Sequence, residues 1–166
     1  MSYRNVSAAI ALSVLCWLNM STASASEIIL GIKAGGVDFD ADGIDPTTIV
    51  SGQLGYEFLD LIAADIATEL EITRSISDGE SDSGDYSYAS QALYLSARSI
   101  GPIYVIGRAG VIAAEVDYNS GGSVDDTGVA YGVGVGFSTG IRFELELTRY
   151  EFEETDTTTL TLGVHF

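Results

Sequence analysis

The chain holds one cysteine, one tryptophan, one histidine and two prolines in 166 residues, and 7 lysines and arginines against 24 aspartates and glutamates. With Cys16 as the sole thiol, no intrachain disulfide framework can form. A formal net charge of −17 excludes the electrostatic footprint of a nucleic-acid binder or of a polybasic membrane-surface protein. The same charge does not signal disorder, because 46% of the residues are hydrophobic and proline is scarce. No apolar run approaches the ~20 residues that a membrane-spanning helix requires. Helical periodicity is missing as well: the clearest segments repeat with period two.

The first residues form a targeting segment. Arg4 gives a short basic region, Ala8 to Leu18 an apolar stretch, and Ala23-Ser24-Ala25 a small-x-small cleavage pattern, so residues 1–25 are expected to be a signal peptide cut after Ala25. Leu15 precedes Cys16 where a lipobox needs a small residue, so lipidation is not expected. Residues 26–166 remain as one domain, without cysteine and, having lost Arg4, one unit more negative than the whole chain.

That domain alternates apolar and polar residues in stretches of the ~9 to 11 residues that a tilted strand needs to cross a bilayer. In Gly140 to Tyr150, Ile141, Phe143, Leu145 and Leu147 share one face, and Arg142, Glu144, Glu146 and Thr148 the other. Thr127 to Phe137 sets Val129, Tyr131, Val133, Val135 and Phe137 against Gly128, Ala130, Gly132, Gly134 and Gly136, which implies a crowded interior. The last strand sets Leu160, Leu162, Val164 and Phe166 against Thr159, Thr161, Gly163 and His165. Leu30 and Ile32 oppose Gly31 and Lys33; Val50, Leu54, Tyr56 and Phe58 oppose Ser51, Gln53, Gly55 and Glu57; Ile66, Leu70 and Ile72 oppose Glu69, Glu71 and Thr73. In Tyr86 to Arg98 and Ile103 to Val116 both parities carry apolar residues. Facing Leu93, Leu95, Val105, Ala109 and Val111 outward turns Arg98 and Arg108 inward.

The pattern predicts an all-β protein: an eight-stranded, antiparallel, up-and-down transmembrane β-barrel with polar groups inside. Its connections alternate between acidic ones (Val37 to Thr47, Ser77 to Tyr86, Asp117 to Thr127, Glu153 to Thr157) and short ones (Phe58 to Ala63, Ser99 to Pro102, Ser138 to Gly140). Barrels of the bacterial outer membrane keep short turns in the periplasm, which puts both termini there and the acidic loops outside.

The terminal Phe166, with Val164 and Leu162 before it at alternate positions, resembles the end of the OmpA/OmpX-type and opacity-protein family of small outer-membrane barrels. The runs Tyr104 to Gly110, Gly132 to Phe137 and Arg142 to Glu146 are also similar to strands of that family. In it, Leu162, Val164 and Phe166 would be read by the barrel-assembly machinery, and the resemblance implies an adhesion or envelope-integrity role. A soluble lipocalin-like barrel is the rival architecture. It would expose the glycine face of Thr127 to Phe137 to solvent with nothing to pack.

The inward parity collects Lys33, Arg98, Arg108 and Arg142 with Glu57, Glu69, Glu71, Glu144 and Glu146. Eight strands leave a lumen that side chains can fill, so these groups are expected to form a salt-bridged plug. A narrow porin or small-solute transporter is the alternative. Lipid-modifying enzymes on such barrels use a histidine beside a serine near the outer leaflet. Here the one histidine, His165, lies at the opposite end, and no catalytic residue is expected.

Asp38-Phe-Asp-Ala-Asp-Gly43 matches the start of a calcium loop through Asp38, Asp40 and Asp42, but position twelve is Ile49, so a solvated acidic turn is preferred over bound Ca²⁺. Arg74 and Arg149 fall on the lipid parity near the acidic end, where guanidinium groups suit lipopolysaccharide phosphates or simply snorkel. Tyr86, Tyr88 and Tyr118 are the aromatic residues near the loops, and they name no extracellular partner. The chain is expected to be a monomer in contact with outer-membrane lipids.

Overall fold

The computed structural model describes residues 27–41, 43–81, 84–119, 121–153 and 155–166. The expected signal peptide and its cleavage site lie outside them. Eight strands follow in chain order: β1 (Glu27–Phe39), β2 (Thr47–Asp60), β3 (Ala64–Ser75), β4 (Tyr86–Ser99), β5 (Ile103–Tyr118), β6 (Ser123–Ser138), β7 (Arg142–Glu151) and β8 (Thr157–His165). Each pairs antiparallel with its sequence neighbours, and β1 closes on β8, so the barrel has no free edge.

The alternation of the sequence becomes the two sides of the wall. Ile32 is 62% exposed and its neighbour Lys33 is 1% exposed. On β7, Leu145 and Leu147 face out while Glu144, Glu146 and Thr148 are buried. The ambiguous strands β4 and β5 take the parity set by their arginines: Leu95, Val105 and Val111 are exposed, and Arg98 and Arg108 are buried. An apolar outer belt around polar inward side chains is the arrangement a bilayer demands. Phe137, Phe143 and Phe166 stand out from the wall together at the end that carries Glu27 and Phe166, as an aromatic girdle does.

The register departs from the sequence expectation at the β5–β6 hairpin. Asp117 to Thr127 was expected as a loop, yet β5 runs to Tyr118 and β6 starts at Ser123, paired in register through Val116↔Val124 and Asp117↔Ser123. The strands stop at Tyr118 and Ser123, and between them Gly121 and Gly122 take φ 96° and 115°, a region that favours glycine. This part of the hairpin extends past the apolar belt, so acidic residues replace apolar ones on its outer face and the alternation that marks a strand disappears. β1 likewise continues to Phe39 and takes up the first three residues of the expected first loop.

The glycines of β6 make room for what the lumen holds. A Cβ on Gly136 would sit 2.2 Å from the Tyr104 ring, one on Gly134 2.9 Å from Glu146, and one on Gly132 2.7 Å from the Thr148 hydroxyl. The crowded interior inferred from the glycine face is therefore real, and its occupants are the polar side chains of β5 and β7.

Candidate functional site

The lumen is layered along the barrel axis. At the end where β1 starts and β8 finishes, Arg142 on the lumen face of β7 lies 3.6 Å from Glu27. Glu57 is buried nearby on β2. Both belong to the expected lumen charge network, and they line its mouth because Arg142 opens β7 and Glu57 lies near the end of β2.

Deeper in, three cations bridge four carboxylates. The Lys33 ammonium lies 2.9 Å from Glu71 Oε2 and also contacts Glu146. Arg108 places Nη1 2.9 Å from Glu71 and Nε 2.9 Å from Glu146, donates through Nη2 to Thr148 Oγ1 at 2.6 Å, and stacks 4.3 Å from the centre of the Tyr94 ring. Arg98 pairs with Glu69 and donates to Glu144 Oε1 and Oε2 at 2.9 and 3.3 Å. Two of the carboxylates have further support. Ser96 Oγ and Gln53 Nε2 donate to Glu69, and the Tyr104 hydroxyl donates to Glu144 at 2.8 Å. Strands β1, β3, β4, β5 and β7 thus meet across the lumen in two adjacent clusters, Lys33 and Arg108 with Glu71 and Glu146, and Arg98 with Glu69 and Glu144. Buried charges are tolerated only with such pairing, and removing a single partner is far costlier than the net gain of the pair.

His165 is fully buried at the edge of this network, its Nε2 3.2 Å from Glu144 Oε2. Glu144, Glu146 and His165 hold potential ligand atoms within 4.8 Å of one another. Both carboxylates are already committed to Arg98, Lys33 and Arg108, so a metal ion would have to share them with three cations. No serine hydroxyl is hydrogen-bonded to this histidine among the described residues.

Above the ion pairs the lumen turns apolar and aromatic, which the sequence reading had missed. Tyr94, Tyr150, Ile112, Ala92 and Ala130 form one cluster, and Val37, Ile49, Tyr88 and Ala114 a second one above it. Tyr86 and Tyr88, expected as loop aromatics, point into the barrel instead and are 1% and 2% exposed. Their even numbers share the parity of Arg98 on β4, which was the available signal. Phe39 packs edge-on against both rings at 5.7 and 5.9 Å, and the Tyr86 hydroxyl donates to the Asp45 carbonyl at 2.6 Å.

The remaining expected residues are scattered. Asp38 lies on the outer face of β1 and Asp40 just beyond its end, where Asp40 Oδ2 is 2.7 Å from Arg149. Asp42 lies outside the described residues. Asp38 in extended strand, paired with Thr158, does not have the wrapped backbone of a calcium loop. Arg149 bridges Asp40 and Asp156 at 2.7 Å each, whereas Arg74 is exposed on the outer face of β3. Leu162 and Phe166 face outward on or beside β8, and Phe166 exchanges backbone hydrogen bonds with Leu30 at 2.8 and 3.1 Å.

The chain matches the outer membrane protein beta-barrel domain family over residues 7–166. No curated protein matches it in sequence. Among solved structures it is similar to Ail, the attachment invasion locus protein of Yersinia pestis, at TM-score 0.61 and 19% identity, over 85% of this chain and 97% of that one. Neisserial surface protein A aligns at TM-score 0.58 and 14% identity over 86% and 98% of the two chains. The outer membrane enzyme PagL aligns at TM-score 0.52 and 13% identity over 83% and 98%. At these identities the likeness carries the fold alone.

Proposed function

The chain belongs to the outer-membrane β-barrel family, and from that premise we propose that it is a structural or surface-interaction protein of the bacterial outer membrane with a plugged lumen. In this reading the short turns and both termini face the periplasm, and the acidic connections and the long β5–β6 hairpin face outward. The carrying observation is the pair of buried ion clusters that joins Lys33 and Arg108 to Glu71 and Glu146, and Arg98 to Glu69 and Glu144. A solute crossing the barrel would have to part charges whose separation leaves them unpaired in a dry interior.

The test is conductance of the folded mature barrel in a planar lipid bilayer. A structural barrel gives no steps above the bare bilayer. Regular ion-selective steps would instead establish the narrow porin or transporter. The protein is not proposed as an enzyme: its one histidine is enclosed by the ion-pair network, at the end opposite the loops.

Two contacts follow from this placement. Arg74, exposed on the outer face of β3 near the loops, is offered to lipopolysaccharide phosphates; Arg149 is the weaker candidate because Asp40 and Asp156 already hold it. Leu162, Val164 and Phe166 are the segment for the barrel-assembly machinery. Ail has been seen in complex with the heparin analogue sucrose octasulfate. A polyanion does not suit the acidic loop end of this chain, so the surface partner proposed here is neutral or cationic.

A further inference from the structure

The loop end of the lumen opens into a cavity of about 140 Å³, separate from the ion-pair network and walled by the inward aromatic residues. Phe39 enters it from β1, Tyr86 and Tyr88 from β4, Tyr118 from β5 and Phe152 from the segment after β7. Tyr86 and Tyr118 stand 6.5 Å apart with their rings inclined at 54°. The volume is close to the roughly 150 Å³ of an engineered apolar cavity that admits benzene, so the space suits one small molecule.

Three features make it more than an apolar void. First, among the described residues its only charged lining residue is Asp126, and no lysine or arginine of them lines it. Asp126 accepts backbone hydrogen bonds from Thr127 and Glu153, which fix its carboxylate at the rim. Second, Thr157 lines the cavity, and its hydroxyl has no hydrogen-bond partner among the described residues although Thr157 is 1% exposed. A buried hydroxyl left unpaired is costly, and a ligand hydroxyl or a water would satisfy it. Third, the whole loop end is acidic, and the two arginines near it, Arg74 and Arg149, lie on the outer face of the wall. Low-dielectric walls with one sign of charge concentrate the opposite ion.

We propose that this cup binds a small organic cation with an apolar body and a hydroxyl or other polar end, of the quaternary-ammonium alcohol class. The ring faces of Tyr86 and Tyr118 attract the cationic head, Asp126 supplies the counter-charge, and Thr157 meets the polar end. The Tyr94–Tyr150 layer and the ion pairs below close the floor, so the cup holds its ligand without passing it through the barrel.

The mature barrel folded in maltoside micelles is titrated with choline, with its neutral carbon isostere 3,3-dimethylbutanol, and with phosphocholine. Binding is read from the Tyr86 and Tyr118 ring signals by NMR. Choline is expected to saturate these signals, and each of the other two to bind at least about tenfold more weakly, the isostere for want of charge and phosphocholine because its phosphate meets Asp126. Tyr118→Leu, which keeps apolar volume and removes a π face, is expected to weaken choline about tenfold and leave the isostere unchanged. Asp126→Asn should do the same, with the heat-dependent SDS mobility shift showing that each variant still folds. No saturable shift with choline overturns the proposal. So does equal binding of the neutral isostere, which would mark a plain apolar pocket, or equal binding of phosphocholine, which would mark a lipid-headgroup site.

Discussion

Replacing Arg98 by methionine is the sharpest perturbation of the lumen. The side chain is 4% exposed and supports two carboxylates at once, Glu69 through Nη1 and Glu144 through Nε and Nη2, as well as the Ser96 hydroxyl at 3.0 Å. In the central network three cations already face four glutamates, one negative charge in excess; the substitution makes the excess two. Methionine fills the space of the arginine stem, so the loss is electrostatic and not a cavity. Glu144 keeps the Tyr104 hydroxyl and Glu69 keeps Ser96 and Gln53, which limits the damage. A buried charge left without its partner costs about 3 to 5 kcal/mol, and the expected value lies in that range. The measurement is urea unfolding of the folded barrel in micelles, with the loss of the SDS mobility difference between unheated and boiled samples as a second probe. The triple variant Arg98→Met, Glu69→Gln, Glu144→Gln removes the stranded charges and is expected to recover most of the loss. A single substitution costing under about 1 kcal/mol would refute the view that these pairs are dry and mutually dependent. Failure of the triple variant to recover would refute the assignment of the cost to stranded charge.

Other positions test the remaining steps. A Cβ on Gly110 would lie 2.0 Å from the Leu93 carbonyl oxygen, so Gly110→Ala must move backbone and should cost about 1 to 3 kcal/mol; Gly107→Ala on the same strand, with nothing within 4 Å, should be neutral or slightly stabilising by the same unfolding assay. Arg149→Ala loosens Asp40 and Asp156 at the surface, and because the pair is solvent-screened the stability should barely change while proteolysis at the loops accelerates. Arg74→Ala is expected to reduce lipopolysaccharide retained on purification more than Arg149→Ala does, and the reverse order would remove Arg74 as the phosphate contact. Phe166→Ser should lower the heat-modifiable fraction recovered from outer membranes while leaving refolding of the purified protein in micelles intact; equal recovery would sink the role of the terminal residue in assembly.

The period-two pattern of this sequence determined the barrel by itself. Side chains alternate across a strand, so Ile32 beside Lys33 and Leu145 beside Glu144 already state which face meets lipid and which meets the interior. The glycine face of β6 announced a crowded lumen, and the arginines of β4 and β5 chose the parity where apolar residues stood on both faces. Pairing was beyond that reading. Lys33 meets Glu71 and Glu146, and Arg98 meets Glu69 and Glu144, because strand register and barrel closure bring β1, β3, β4 and β7 to one height, and no local pattern encodes that height. The same stagger left Glu57 and Arg142 at the mouth and carried the β5–β6 hairpin beyond the belt, where loss of the apolar face erased its strand signature. Tyr86, Tyr88 and Tyr118 were visible as residues near loops, but an aromatic cup exists only once closure turns three strand ends and the segment after β7 toward a common axis. Alternation is a property of neighbours along the chain; a cavity or an ion-pair network belongs to residues that only the closed sheet makes neighbours.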